Sequence, residues 1–299
     1  MERVKKGIHF LFGRCEPVTD FYGVINRFGS LGFDCVELPP DPFLMDSGRL
    51  RDLKEYAEGK GVEIVFSCGF PENCDMASDD RFIRENGMKY MHRILRLMEN
   101  ADIRLMGGTF YTKWPSYRVE TLSMGEKERI FQRTALCLKE AVKETEGSLI
   151  TLAIEPLNRF EGFLINTAAE GRRFCEIVDN PNVGLMLDGF HMSVEEDSIQ
   201  DAVRIAGKHL KHLHLAENNR KLPGMGTFCW DEFFTVLKEI GYTGRFDIEA
   251  FMTPGGSVAA SVALWRDLEE GASPKQQDDL LVKAAEFIET KWLEYGFLS

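Results

Sequence analysis

The stretch LITLAIEPLNRFE, residues 149–161, is an apolar run that ends on a negative charge, Glu155, just before Pro156 stops it. Its alternation reads as a β-strand: Leu149, Thr151, Ala153 and Glu155 share one face, and Leu152 and Ile154 lie on the other. A carboxylate buried alone at the end of such a strand is costly unless it is paired or holds a cation. The placement of Glu155 therefore asks what the rest of the chain brings to the same point.

Seven further runs have strand character: GIHFLF (7–12), CVELP (35–39), VEIVFSCGF (62–70), IRLMGGTFY (103–111), VGLMLD (183–188), LKHLHLAE (210–217) and RFDIEAF (245–251). Between them lie stretches with apolar residues at helical spacing, at 21–33, 79–101, 125–145, 167–179, 198–209, 230–241 and 273–296. Several open on Thr, Ser or Asp and close on Gly, which suits helix caps. Strands alternating with helices imply a parallel sheet covered by helices, and eight strands are the number that closes a (β/α)8 barrel, a TIM barrel. An open doubly wound sheet is the alternative, weakened because no GxGxxG turn follows the first strand. No Pro-, Ser- or Gly-rich linker divides the chain, so residues 1–299 read as one α/β domain.

Composition narrows the function. The 299 residues are 44% hydrophobic and 28% charged with a net charge of −12, ordinary for a globular protein and unsuited to gripping a nucleic-acid backbone. The seven cysteines are odd in number and form no CxxC pair, so a disulfide framework or cysteine zinc site is not expected and a reducing cytoplasm is. The segment MERVKKGIHFLFGRCEP lacks the length and cleavage pattern of a signal peptide, and no apolar run reaches membrane-spanning length.

The ends of the last four strand runs carry the chemistry. They bear Glu155, Asp188, His214 and Glu249, and the parity of strands five, seven and eight points the polar side chains to the barrel interior. In such a barrel the carboxyl ends of the strands form the active-site mouth. Three carboxylates gathered there repel one another unless a cation joins them. Three oxygen donors and an imidazole suit Mn2+, Mg2+ or Co2+ better than a structural zinc. An ion that prefers about six ligands keeps two positions open, which fit a vicinal diol or hydroxyketone. Each residue taken alone has a plainer reading: an ion-pair partner, a helix cap, a satisfied core histidine for His212 or His214, Glu161 answering Arg159, or a surface Arg220.

The motifs LAIEPLNRFEGF, LMLDGFHMSVEE, LKHLHLAENNRKLPGMGTFCWDEFF and FDIEAFMTPGGSVAASVALWRDL resemble the ketose 3-epimerases, the D-tagatose and D-allulose (D-psicose) 3-epimerases of the xylose-isomerase-like TIM barrels. The resemblance implies metal ligands at Glu155, Asp188, His214 and Glu249, with Mn2+ or Co2+ as the usual ion. It implies that Glu155 and Glu249 act as acid and base on opposite faces of substrate C3, through an enediolate. It further implies that Glu161, His191 and Arg220 hold the O1/O2 end of the sugar, that Trp114 stands near the pocket, and that the protein is a homodimer or homotetramer. The chain departs from the pattern in its first strand run, where His9 takes the place of an aromatic and no Trp follows; His9 and Arg14 are open to either a substrate-facing or a plain structural role.

Three alternatives remain open in the sequence. The same ion and glutamate pair would serve a related keto-sugar isomerase or a deglycosidase-type eliminase acting on a larger or modified sugar. A zinc phosphodiesterase resembling endonuclease IV needs more histidines than the six present, two of which, His92 and His209, fall on helix-like stretches. A non-catalytic sugar-binding barrel needs no acid–base pair.

Overall fold

The computed structural model describes residues 5–118 and 120–297; the first four residues of the amino-terminal segment and the last two of the expected 1–299 domain lie outside them. Eight parallel strands close a barrel in chain order: β1 (Lys6–His9), β2 (Cys35–Leu38), β3 (Glu63–Phe70), β4 (Leu105–Lys113), β5 (Thr151–Ile154), β6 (Val183–Asp188), β7 (Leu210–Leu215) and β8 (Phe246–Ile248). Each falls on a run read as a strand. Closure through β1 and β8 is direct, with Gly7 opposite Asp247. The open doubly wound sheet is thereby excluded.

The helices are α1 (Phe21–Ser30), α2 (Ser47–Glu58), α3 (Arg81–Ala101), α4 (Met124–Ala141) and α5 (Ala168–Val178). They continue with α6 (Gly189–Glu195), α7 (Ile199–Ala206), α8 (Trp230–Glu239), α9 (Gly256–Ser261) and α10 (Pro274–Glu294). Sequence reading missed α2, α6 and α9. Helix α2 buries only Leu50, Leu53 and Ala57, a stripe too thin to stand out. Helices α6 and α9 have seven and six residues and take their shape from the loops they sit in.

Outward-facing strand residues pack under the helices. Phe174 of α5 meets Phe131 of α4 edge-on at 5.2 Å and Tyr111 of β4 at 5.5 Å. Each buried phenyl of this kind contributes about 1.5–3 kcal/mol. Trp292 of α10 covers Phe246 of β8. The interior is divided. Val65, Leu105, Ala153 and Met186 make an apolar cluster on the β3–β6 side. The β7, β8, β1 and β2 side carries His212, His214, Asp247, His9 and Glu37, all buried.

Strand register sets the site. Asp188 and His214 are direct neighbours across β6 and β7, and His214 pairs with Asp247 across β7 and β8. Glu155 and Glu249 each follow their strands by one residue, where the backbone stays tied to the sheet. The Glu155 N–H donates to the Gly108 carbonyl at 3.1 Å, and the Glu249 N–H to the Leu215 carbonyl at 3.3 Å. Among the described residues, no helix is long and apolar enough to cross a membrane.

Candidate active site at the barrel mouth

Glu155, Asp188, His214 and Glu249 converge, each offering a ligand atom within 4.8 Å of the others, and all four are buried. Their backbones are firmly placed. The Tyr111 hydroxyl donates to the Glu155 carbonyl at 2.9 Å. Asp188 caps α6 by accepting the Phe190 N–H on Oδ1 at 2.6 Å, which leaves Oδ2 for the cluster. His214 Nε2 contacts Glu37 Oε2 at 2.8 Å, so its Nδ1 faces the three carboxylates at 3.3–3.9 Å without alignment for a hydrogen bond. Glu155 Oε1 likewise has no hydrogen-bond partner although it is buried. Two buried ligand-type atoms left without partners, aimed at one point beside two further carboxylates, fit a divalent cation.

The electrostatics separate the two glutamates. Burial raises the Glu155 carboxyl well above the usual carboxylate range, and Glu249 and Asp188 push it the same way against His214 and Arg220. Burial also opposes ionisation of Glu249, but Arg220 and His214 outweigh it and hold Glu249 well below the usual range. One carboxyl thus favours its protonated form and the other its anion.

Arg220 is built into the wall. It adopts a left-handed backbone conformation, φ 66°, in the loop after β7. The buried Glu217 carboxylate orders that loop by accepting the Gly224 and Phe228 N–H groups and the Trp230 indole N–H at 2.7–2.9 Å. The guanidinium lies 4.6 Å from the Phe190 ring centre and 5.0 Å from that of Phe251. It donates to Asp188 Oδ2 and to Glu249 Oε2, both at 2.7 Å. The surface reading of Arg220 is therefore wrong.

His191 lies on α6. Its Nδ1 accepts the Asn158 backbone N–H at 3.2 Å, which puts the ring proton on Nε2, 3.7 Å from Glu155 Oε1. Burial lowers its pKa to about 4, so the ring is neutral at physiological pH. Glu161 does not answer Arg159; Arg159 pairs with Glu195 at 2.9 Å, and Glu161 accepts from Asn158 Nδ2 at 2.9 Å. Glu161, His191, Arg220 and Trp114 all line one cavity of about 220 Å³ with Glu155 and Glu249. Glu155, Glu249, Glu161, His191, Arg220 and Trp114 thus meet at one mouth, and Asp188 and His214 join the two glutamates in the buried cluster.

A family model described as a xylose isomerase-like TIM barrel matches residues 27–268. The chain belongs to this family. A D-psicose 3-epimerase of Ruminiclostridium cellulolyticum is 37% identical over 286 residues, covering 95% of this chain and 96% of that one. A D-psicose 3-epimerase of Agrobacterium fabrum is 33% identical, covering 92% of this chain and 95% of its own. The crystal structure of D-psicose 3-epimerase with D-tagatose from Clostridium cellulolyticum aligns with a TM-score of 0.90 at 36% identity, covering 95% and 97% of the two chains. Within the xylose isomerase-like barrels this chain groups with the ketose 3-epimerases, enzymes of the isomerase class.

The sequence reading of this xylose isomerase-like barrel left the place of His9 open and missed Glu37. His9 lines the cavity, with Nε2 3.7 Å from Glu249 Oε1 and Nδ1 buried without a partner, whereas Arg14 is exposed and away from the cavity. Glu37 is fully buried and touches both His212 and His214. Its signal was present: a carboxylate between Val36 and Leu38 on a strand, the same anomaly that singled out Glu155.

Proposed function

We propose that the protein is a divalent-metal-dependent ketose 3-epimerase that inverts C3 of a small sugar through an enediolate. The reading is carried by the buried convergence of Glu155, Asp188, His214 and Glu249 with Glu155 Oε1 and His214 Nδ1 unpartnered. These four residues would hold the ion, Mn2+ with Co2+ or Mg2+ as substitutes. Bound there, it supplies positive charge that stabilises negative charge developing on the sugar oxygens.

The glutamates do the proton work. Glu249, the anionic member, takes the C3 proton of one epimer; the C–H electron pair enters the C2–C3 bond and charge moves to O2. Glu155, which carries a proton at that stage of the cycle, delivers it to the opposite face of C3, and the carbonyl at C2 re-forms. The reverse reaction exchanges the roles. His191 donates from Nε2 and Arg220 from its guanidinium to the O1/O2 end, and Glu161 accepts from a hydroxyl there. Trp114 walls the cavity, which excludes bulk water from the proton transfers.

One observation favours a second reading. His9 places a polar ring beside Glu249 in the cavity wall, which suits an isomerase or eliminase acting on a larger or modified keto-sugar. A proton NMR assay in D2O with Mn2+ and D-fructose, D-tagatose or D-allulose separates the two. Deuterium at C3 with the C3 epimer formed supports the epimerase. No exchange on free ketoses by metal-loaded protein excludes it. Chelation of the ion is expected to stop exchange, and returning Mn2+ to restore it.

All seven cysteines are free thiols, which supports the cytoplasm as the site of action. We assign a homodimer or homotetramer, to be checked by light scattering, and one cooperative domain across residues 1–299, to be checked by a single unfolding transition.

A further inference from the structure

We infer that Glu37 is a positioning residue for the metal centre: from inside the barrel it holds the His214 ring so that Nδ1 faces the cluster. The inference rests on the metal reading above. Glu37 sits on β2, and β1 and β8 separate it from β7 around the barrel wall. Its two oxygens are divided between two imidazoles, Oε1 to His212 Nε2 at 2.7 Å and Oε2 to His214 Nε2 at 2.8 Å. A carboxylate only accepts, so both Nε2 atoms donate to it. The proton of each neutral ring is thereby held on Nε2, and the lone pair of His214 Nδ1 is left for the site.

The barrel is shaped to accommodate this arrangement. A Cβ on Gly107 would lie 2.7 Å from Met186 Sδ and 3.3 Å from His212 Cδ2. A Cβ on Gly7 would overlap Asp247, whose Oδ2 lies 3.7 Å from His212 Nε2. Below them, Cys35 Sγ stands 3.7 Å from Asp247 Oδ2, and Arg245 Nη1 lies 3.0 Å from Cys35 Sγ. Arg245 pairs with Glu63 at 2.7 Å, and Glu63 with Lys5 at 2.7 Å. A polar column thus runs from the amino-terminal face of the barrel to His214, and Glu37 is its last member before the ligand set.

The substitution Glu37→Gln tests this. The amide keeps the shape and one acceptor, but its NH2 meets one imidazole N–H head-on. One ring must then move its proton to Nδ1 or rotate. Mn2+ titrations by calorimetry on chelator-stripped protein come first for the wild type; failure of the wild type to bind overturns the metal reading and this inference with it. If the wild type binds, Glu37→Gln is expected to bind about tenfold to a hundredfold more weakly. Its Co2+ complex is also expected to show an altered visible spectrum, which a merely structural role would not produce. Wild-type affinity and an unchanged Co2+ spectrum in folded Glu37→Gln overturn the inference. If that variant does not fold, Glu37→Asp carries the test. It keeps the charge and both acceptors but withdraws them by one methylene, so intermediate affinity is expected and wild-type affinity overturns the inference.

Discussion

Arg220 Nη2 donates to Glu249 Oε2 at 2.7 Å, so a fixed cation of the cavity wall sits on the glutamate that favours its anion. The same guanidinium reaches Asp188 Oδ2 and lies against Phe190 and Phe251. Its position decides how negative charge is shared at the mouth.

Replacing Arg220 by Ala is expected to lower kcat by about 10²–10³-fold, the usual loss when one preorganised donor to a developing oxyanion is removed. Arg220→Lys is not expected to rescue, because a point charge cannot bridge two carboxylates and stack on two rings at once. Steady-state kinetics with a Mn2+ titration checks both; a wild-type rate for Arg220→Ala refutes its role.

Glu155→Gln and Glu249→Gln should each stop turnover to below about 10⁻² of wild type, since each removes an acid–base group worth 10²–10⁴. Deuterium exchange at C3 is the readout. Substantial exchange in either variant would falsify the two-glutamate mechanism.

His191 makes acid stability predictable. Its folded pKa of about 4 lies below the 6.5 of an unfolded histidine, so the unfolded chain binds the extra proton between those values. Stability from this group is complete above pH 6.5 and is lost as pH falls towards 4. Between pH 7 and pH 5 the chelator-treated protein is expected to lose about 2 kcal/mol through this residue. Urea unfolding of wild type and His191→Gln at both pH values checks it: the variant should lose that much less.

Glu217→Ala should both destabilise the protein and slow it. Two buried donors, from Phe228 and Trp230, and the more exposed N–H of Gly224 lose their acceptor, at a cost of about 1–3 kcal/mol for each buried group left unpaired and less where water enters. The loop that carries Arg220 then loosens, so kcat is expected to fall more than KM rises. Thermal melts beside initial-rate kinetics separate the two effects.

Much of the fold is legible in the amino-acid chain alone. Eight runs of alternating or continuous apolar character mark eight strands, and all eight form, because a strand buried under helices needs that pattern whatever its neighbours are. Parity then places Ala153, His212, His214 and Asp247 inside the barrel. Helix α2 stays hidden because three buried residues in twelve make a faint stripe. Helix α6 stays hidden because its start depends on the Asp188 cap and not on periodicity.

By itself the amino-acid sequence determined the barrel, the strand ends that bear Glu155, Asp188, His214 and Glu249, and through its motifs the family. Those depend on local alternation and on residue type, which are written along the chain. Only the tertiary structure decided which charges meet. It set Arg220 on Asp188 and Glu249, gave Arg159 to Glu195 and not Glu161, turned His9 into the cavity, and placed Glu37 beneath His214. Such pairings join strands and loops far apart along the chain, with 177 residues from Glu37 to His214. They are fixed by barrel closure and register, through distances of a few ångströms that no spacing along the chain encodes.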